Sequence, residues 1–174
     1  PKSSYHYRNH RLPDNERSTF RNGLAQRMVV SPGVELYRVI TPLDQFGNGN
    51  HIFGKYWFTH KALTQLRSLM QVNGCTFEEA ARAKLAVNEV WNPKMSHLCK
   101  IRMQRLAFVW KGGARYQHKA NTQKKVAYIG DAEQIYIPHI SIAKANDQGD
   151  RPLSELATLI YNRPLEEVIR NGGW

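Results

Sequence analysis

Apolar positions along this chain recur at two periods, and the change of period marks its elements. Near-continuous apolar runs at 34–40 and 52–58, separated by Thr41-Pro42 and a Gly/Asn-rich stretch from Asp44 to Asn50, predict two buried strands. Leu63, Leu66 and Met70 then repeat at helical spacing, so a helix is expected over 60–72, capped by Thr59 and stopped by Asn73-Gly74. Thr76 followed by Glu79 is a capping box that opens a second helix to about Val87, with Phe77, Ala80, Ala81, Lys84 and Leu85 on a mixed face. After Trp91-Asn92-Pro93 the pattern returns to strands, at 98–103, 106–110, 126–129 and 134–142, punctuated by Gly112-Gly113 and Gly130. Pro152 and Pro164 each suit the first turn of a short helix, over 153–161 and 165–170, before Gly172-Gly173. Residues 1–33, rich in Arg, Asn, Ser and Pro with scattered Leu12, Phe20, Leu24 and Met28, read as an arm or linker that docks on a domain at 34–174. The expected fold class is α+β, with helices mostly between the second strand and the later ones.

Length and composition narrow the function classes. The 174 residues suffice for one domain with a core, and 41% hydrophobic residues exclude a disordered chain. No apolar run approaches the ~20 residues that span a bilayer, so no membrane insertion is expected. No apolar stretch of signal-peptide type opens the chain, which starts at Pro1 without a methionine and so reads as a fragment or processed product. A formal charge of +11 favours anionic partners: nucleotides, nucleic acid, anionic lipid or an acidic protein. Between positions 90 and 130 stand nine Lys and Arg and no acid, either a solvated basic face or a phosphate or nucleic-acid track using Lys111, Arg115 and Lys119 with Trp110 and Tyr116 interleaved. Cys75 and Cys99 lie far apart, and neither has a second ligand at metal spacing, so neither a disulfide framework nor a metal is expected.

Three runs carry one polar group each at a fixed place in a buried strand: Leu36-Tyr37-Arg38-Val39-Ile40, Gly54-Lys55-Tyr56-Trp57-Phe58-Thr59 and Gly130-Asp131-Ala132-Glu133-Gln134-Ile135-Tyr136-Ile137-Pro138. This order of an arginine strand, an aromatic-hydroxyl strand and an acid-or-amide strand resembles the three-part signature of the ADP-ribosyltransferase fold. The resemblance implies a split β-sheet core with flanking helices, and NAD as substrate. Cleaving the nicotinamide-ribose bond builds positive charge on the ribose, as in glycoside cleavage. Such a site needs a cation on the pyrophosphate, a flat clamp on nicotinamide and an acceptor at the ribose. Arg38 suits the first role, because a guanidinium offers a rigid fork of donors to phosphate oxygens. Tyr56 and Trp57 suit the second, with Thr59, Trp110 and Lys111 as further NAD-binding candidates. Strand alternation puts Tyr56 and Phe58 on one face and Trp57 and Thr59 on the other.

Gln134 stands where the resembling transferases usually carry a catalytic Glu. An amide can hydrogen-bond the ribose yet cannot take a proton from an acceptor, which favours hydrolysis over transfer to a weak nucleophile. Glu133 could supply the carboxylate instead, but in a regular strand it faces away from Gln134. Further landmarks are Lys84-Leu85-Ala86-Val87 with Trp91-Asn92, then Val109-Trp110-Lys111-Gly112-Gly113-Ala114 with Gln117. Together with the Gly130 turn they are similar to C-terminal toxin domains of bacterial Rhs, contact-dependent-inhibition and type VI secretion proteins, in particular the Gln-containing NAD-glycohydrolase branch with its Gly-Gly-x-x-Gln-type turn. Here Asp131 replaces the second glycine. The resemblance spans about 34–140. It implies a secreted or delivered effector acting in a target-cell cytoplasm, and an acidic immunity protein as partner. ADP-ribose transfer to RNA or protein is the alternative. A basic nucleic-acid-binding or nuclease domain is a second, although the histidines at 6, 10, 51, 60, 97, 118 and 139 are dispersed.

Overall fold

Neighbouring strands of the main sheet all run antiparallel, and the pleat of each turns alternate side chains to two faces. The computed structural model describes residues 11–41, 54–87, 94–119, 121–123, 127–138, 140–141 and 151–174. Among these, seven strands form the sheet: β1 (Gln26–Val30), β2 (Glu35–Ile40), β3 (Tyr56–Thr59), β4 (His97–Met103), β5 (Ala107–Gly113), β8 (Glu133–Tyr136) and β11 (Ala157–Pro164). Their spatial order is β1-β5-β8-β3-β2-β4-β11. Two small ladders join β6 (Gln117–His118) to β7 (Ala127–Tyr128) and β9 (Ile140–Ser141) to β10 (Arg151–Pro152).

Burial on both faces explains why β2 reads as a nearly unbroken apolar run. Leu36 and Ile40 join Trp57, Ile101, Val109 and Ile135 in one core cluster. Tyr37 and Val39 join Phe58 in another, packed against the helices α2 (His60–Asn73), α3 (Phe77–Leu85) and α4 (Leu165–Asn171) through Leu63, Leu66, Phe77, Leu165 and Val168. Both predicted central helices form with the expected caps. Thr59 Oγ1 accepts from Ala62 N, and Gly74 ends α2 in the left-handed region at φ 62°. The Thr76–Glu79 capping box forms in full, with Thr76 N donating to Glu79 Oε2 at 2.8 Å and Glu79 N donating to Thr76 Oγ1 at 3.1 Å.

The segment expected as an arm supplies structure of its own. Helix α1 (Asp14–Arg17) and a 3-10 turn at Arg21–Gly23 lead into β1, an edge strand registered on β5 from Gln26–Lys111 to Val30–Ala107. Leu12 and Phe20 are fully buried, with Tyr136, in a third cluster. Exposed Gln26, Arg27 and Val29 hide the strand period in the sequence, because an edge strand facing water tolerates polar residues.

The helix expected at 153–161 does not form. Leu153–Glu155 is a single 3-10 turn, and Ala157–Pro164 is a strand along the edge of β4, with a bulge between Leu159 and Tyr161. Leu153, Leu156 and Leu159 imitate a helical repeat, but Thr158, Ile160 and Tyr161 prefer the pleated surface and β4 offers an open ladder. Pro164 is the N-cap of α4 rather than part of its first turn. The strand expected at 134–142 divides into β8 and β9, and the helix expected to reach Val87 ends at Leu85 with Ala86 at φ 52°. The Asp44–Asn50 loop, Ile52, Phe53, Trp91, Asn92, Pro93 and Val126 lie outside the described residues.

The capping box gives the first prediction. Thr76→Ala removes the cap of α3 and is expected to cost about 1 kcal/mol. For a domain of this size that is a fall of about 2–4 °C in Tm, checked by thermal unfolding.

Candidate functional site

The ladder between β2 and β3 runs through Leu36–Thr59 and Tyr37–Phe58 and, among the described residues, ends there. On its far sides β3 stays paired with β8 as far as Tyr56–Tyr136, and β2 stays paired with β4 as far as Ile40–His97. The two central strands therefore splay from Arg38 onward. Into this gap Arg38 Nη1 donates to the Tyr56 carbonyl at 2.8 Å, replacing a ladder bond with a side-chain one. The guanidinium lies against Gly54. A Cβ added there would fall 2.1 Å from Nη1 and 2.2 Å from Cζ, so any larger residue would displace the arginine. Trp57 holds the same glycine from another side, its indole Nε1 donating to the Gly54 carbonyl at 2.8 Å. Burial pushes the Arg38 pKa down to about 10, which leaves it charged at neutral pH. Cys99, opposite Arg38 in register, is pushed up to about 12 by its own burial and stays a neutral thiol.

The splay opens a cavity of about 420 Å³ lined by Arg38, Tyr56, Trp57, Arg115, Gln117 and Gln134, with Val39, Ile40, Phe58, Leu85 and Met95 as its apolar floor. Among the described residues two arginines and no acid line it. Gln134 is 9% exposed. Its Nε2 donates to the Thr19 carbonyl at 3.1 Å, which fixes the amide's sense because a carbonyl accepts nothing but a donor. Oε1 is then the acceptor that the amide presents. The Tyr56 ring packs against Tyr136 with centroids 5.3 Å apart. Its hydroxyl donates to the Glu16 carboxylate and lies 3.0 Å from Thr19 Oγ1. Burial, followed by the bond to Glu16, raises the Tyr56 pKa well above that of a free phenol.

Other sequence candidates stand elsewhere. Glu133 faces away from Gln134, as alternation requires: its carboxylate accepts from Thr59 Oγ1 at 3.2 Å and pairs with Lys111 Nζ at 3.2 Å. Thr59 and Lys111 line a separate groove of about 490 Å³ with Met28, Leu36 and Ile135. Trp110 is half-buried against the Leu12, Phe20 and Tyr136 cluster. The structure thus gathers Arg38, Tyr56, Trp57 and Gln134 at one hollow and leaves Glu133, Thr59, Trp110 and Lys111 outside it. Glu16 and Thr19 were not among the sequence candidates. Both lie in the Arg/Asn-rich segment that carries no strand period, and no local signal ties them to strands more than thirty positions away.

The turn before β8 explains a departure noted in the sequence. Gly130 has φ 74° and Asp131 φ 80°, so both positions want glycine-like freedom. A Cβ on Gly130 would meet the Ala114 carbonyl at 2.4 Å. Asp131 tolerates the left-handed region and pairs with Arg21 at 2.6 Å, tying the turn to the docked segment.

This fold is similar to that of one chain in the structure of Tne2 in complex with Tni2, where the likeness covers 82% of this chain and 92% of that one, at 13% identity and a TM-score of 0.51. A second structure, Rhs1-CT in complex with its cognate immunity protein RhsI1, aligns over 80% of each chain at 8% identity with a TM-score of 0.49. No protein-family model matches the chain, and no curated protein does.

The Gly54 contact gives the second prediction. Gly54→Ala is expected to eject the Arg38 guanidinium, seen as loss of a protected Arg38 Nε–H signal in nitrogen NMR. Gly173→Ala, whose added Cβ meets nothing closer than 3.7 Å, leaves that signal in place.

Proposed function

We propose that this chain is an NAD-consuming toxin domain of ADP-ribosyltransferase type that hydrolyses the nicotinamide-ribose bond. The observation that carries the reading is the shared hollow: a desolvated arginine and a buried glutamine from distant strands line one cavity of about 420 Å³ with an aromatic ring beside them. That volume lies within the range of small-molecule sites. The splay between β2 and β3 supports the split-sheet core, and the likeness to a chain of the Tne2–Tni2 complex supports the fold.

In this reading Arg38, helped by Arg115, neutralises the pyrophosphate, Tyr56 lies against nicotinamide, and Gln134 Oε1 accepts from a ribose hydroxyl. Scission sends the electron pair of the C–N bond to the nicotinamide nitrogen, quenching its positive charge and leaving an oxocarbenium ion on the ribose. Water bonds to the anomeric carbon and releases a proton to solvent. An amide cannot act as base, and so strong an electrophile needs little help from one. The apolar floor excludes competing water until the bond breaks. A delivered effector that consumes NAD in a target cell threatens its producer, so an acidic immunity protein is the proposed partner, matched to the +11 charge. Tne2 itself has been seen bound to a second protein, Tni2.

ADP-ribose transfer to RNA or protein is the second reading. One observation favours it: Arg115, at the cavity, lies 5.5 Å over the ring of Tyr116, which is 50% exposed and meets His118 edge-on. Such a rim fits an anionic acceptor with stacking bases.

A time course of NAD loss with native protein, Arg38→Ala and Gln134→Ala tests the site. Each substitution is expected to slow NAD loss by ~10²-fold or more, and equal rates in all three would overturn the assignment. Free ADP-ribose as product supports hydrolysis, and label retained on RNA or protein supports transfer.

A further inference from the structure

One wall of the cavity is not built by the central strands. Thr19, in the turn between α1 and β1, lines the hollow, and its carbonyl accepts from both Gln134 Nε2 at 3.1 Å and Arg115 N at 2.9 Å. Three residues earlier, the Glu16 carboxylate accepts the Tyr56 hydroxyl. The segment carrying these groups is locked into the sheet. Phe20 is fully buried and bridges to Ala114, while a Cβ added at Gly112 would meet the Leu24 carbonyl at 2.5 Å and Phe20 Cδ1 at 2.8 Å. Asp131 and Arg21 pin its far end.

A backbone carbonyl accepts and never donates, so the side chain set against it must bring a proton. Glutamine meets Thr19 with Nε2, so Oε1 is the acceptor it leaves for the cavity that it lines. A carboxylate of the same shape would press a second acceptor against that carbonyl, at a position 9% exposed where an unmade bond is costly. The geometry points to the docked segment as the positioning element of the cavity: the Thr19 carbonyl selects an amide at 134 and aims its oxygen inward, and Glu16 fixes the Tyr56 hydroxyl. Both residues act through others, and neither reacts. The kinetic part of this inference rests on the NAD reading above, while its structural part does not.

The test separates the two. Thermal unfolding of native protein, Gln134→Glu and Gln134→Met is expected to rank native first, Met second and Glu last, because Met loses the bond whereas Glu adds repulsion. A Glu variant that melts at or above the Met variant overturns amide selection, whatever the activity. For the second contact, Glu16→Ala, Tyr56→Phe and their combination are expected to be non-additive, the double variant melting about where the lower single does. Additive losses overturn the Glu16 role. In NAD turnover, Glu16→Ala is expected to raise KM about tenfold, as loss of a bond to a charged group implies. Glu16→Gln keeps an acceptor for Tyr56 and restores most of it, and an unchanged KM in Glu16→Ala overturns positioning by Glu16. Native protein that leaves NAD intact, with the expected melting order across the variants, sinks the proposed function and keeps the positioning role of the docked segment.

Discussion

A cation laid flat on a glycine backbone, inside a gap where two strands stop pairing, is the arrangement on which this molecule turns. Splaying β2 from β3 strands backbone groups that the ladder would have satisfied. The Arg38 bond to the Tyr56 carbonyl answers one of them, and the Trp57 bond to the Gly54 carbonyl answers another in the same neighbourhood. Gly54 is thus held by Trp57 on its carbonyl and by Arg38 against its Cα, and its lack of a Cβ is what leaves room for the guanidinium. Without the splay the sheet would close, and Arg38 and Gln134, whose strands are separated by β3, would share no hollow.

The second layer of organisation comes from the other end of the sheet. The turn after α1 rests on β5 and β8 and offers polar groups to side chains that the central strands could not satisfy alone. Buried polar groups that lack partners are costly, and the amide of Gln134 and the phenol of Tyr56 find theirs on this one segment. The charge distribution follows the same division. Glu133, Lys111 and Thr59 satisfy one another away from the cavity, which leaves the hollow itself with arginines and no acid among the described residues.

Elements whose local chemistry and tertiary role agree were legible in the sequence. The caps at Thr59 and Thr76 are set by neighbours three residues away, and β2 is apolar because both its faces are buried. The alternation of Tyr56 with Trp57, and of Glu133 with Gln134, also followed from strand period alone. Elements decided by a distant partner were not legible. Ala157–Pro164 carries leucines at helical spacing and becomes a strand because β4 has an edge to offer. Gln26–Val30 looks like linker because half of it faces water. The contributions of Glu16 and Thr19 depend on contacts reaching to Tyr56 and to Gln134, and nothing near either residue announces them.

That long-range contact carries a consequence for biosynthesis. Thr19 leaves the ribosome before Gln134, and 115 residues separate these two sides of the hollow. Loop-closure entropy must be overcome before the contact is rewarded, which places this junction among the last to form. A nascent chain halted before β8 carries Arg38 and its glycine but lacks the amide that shares their cavity.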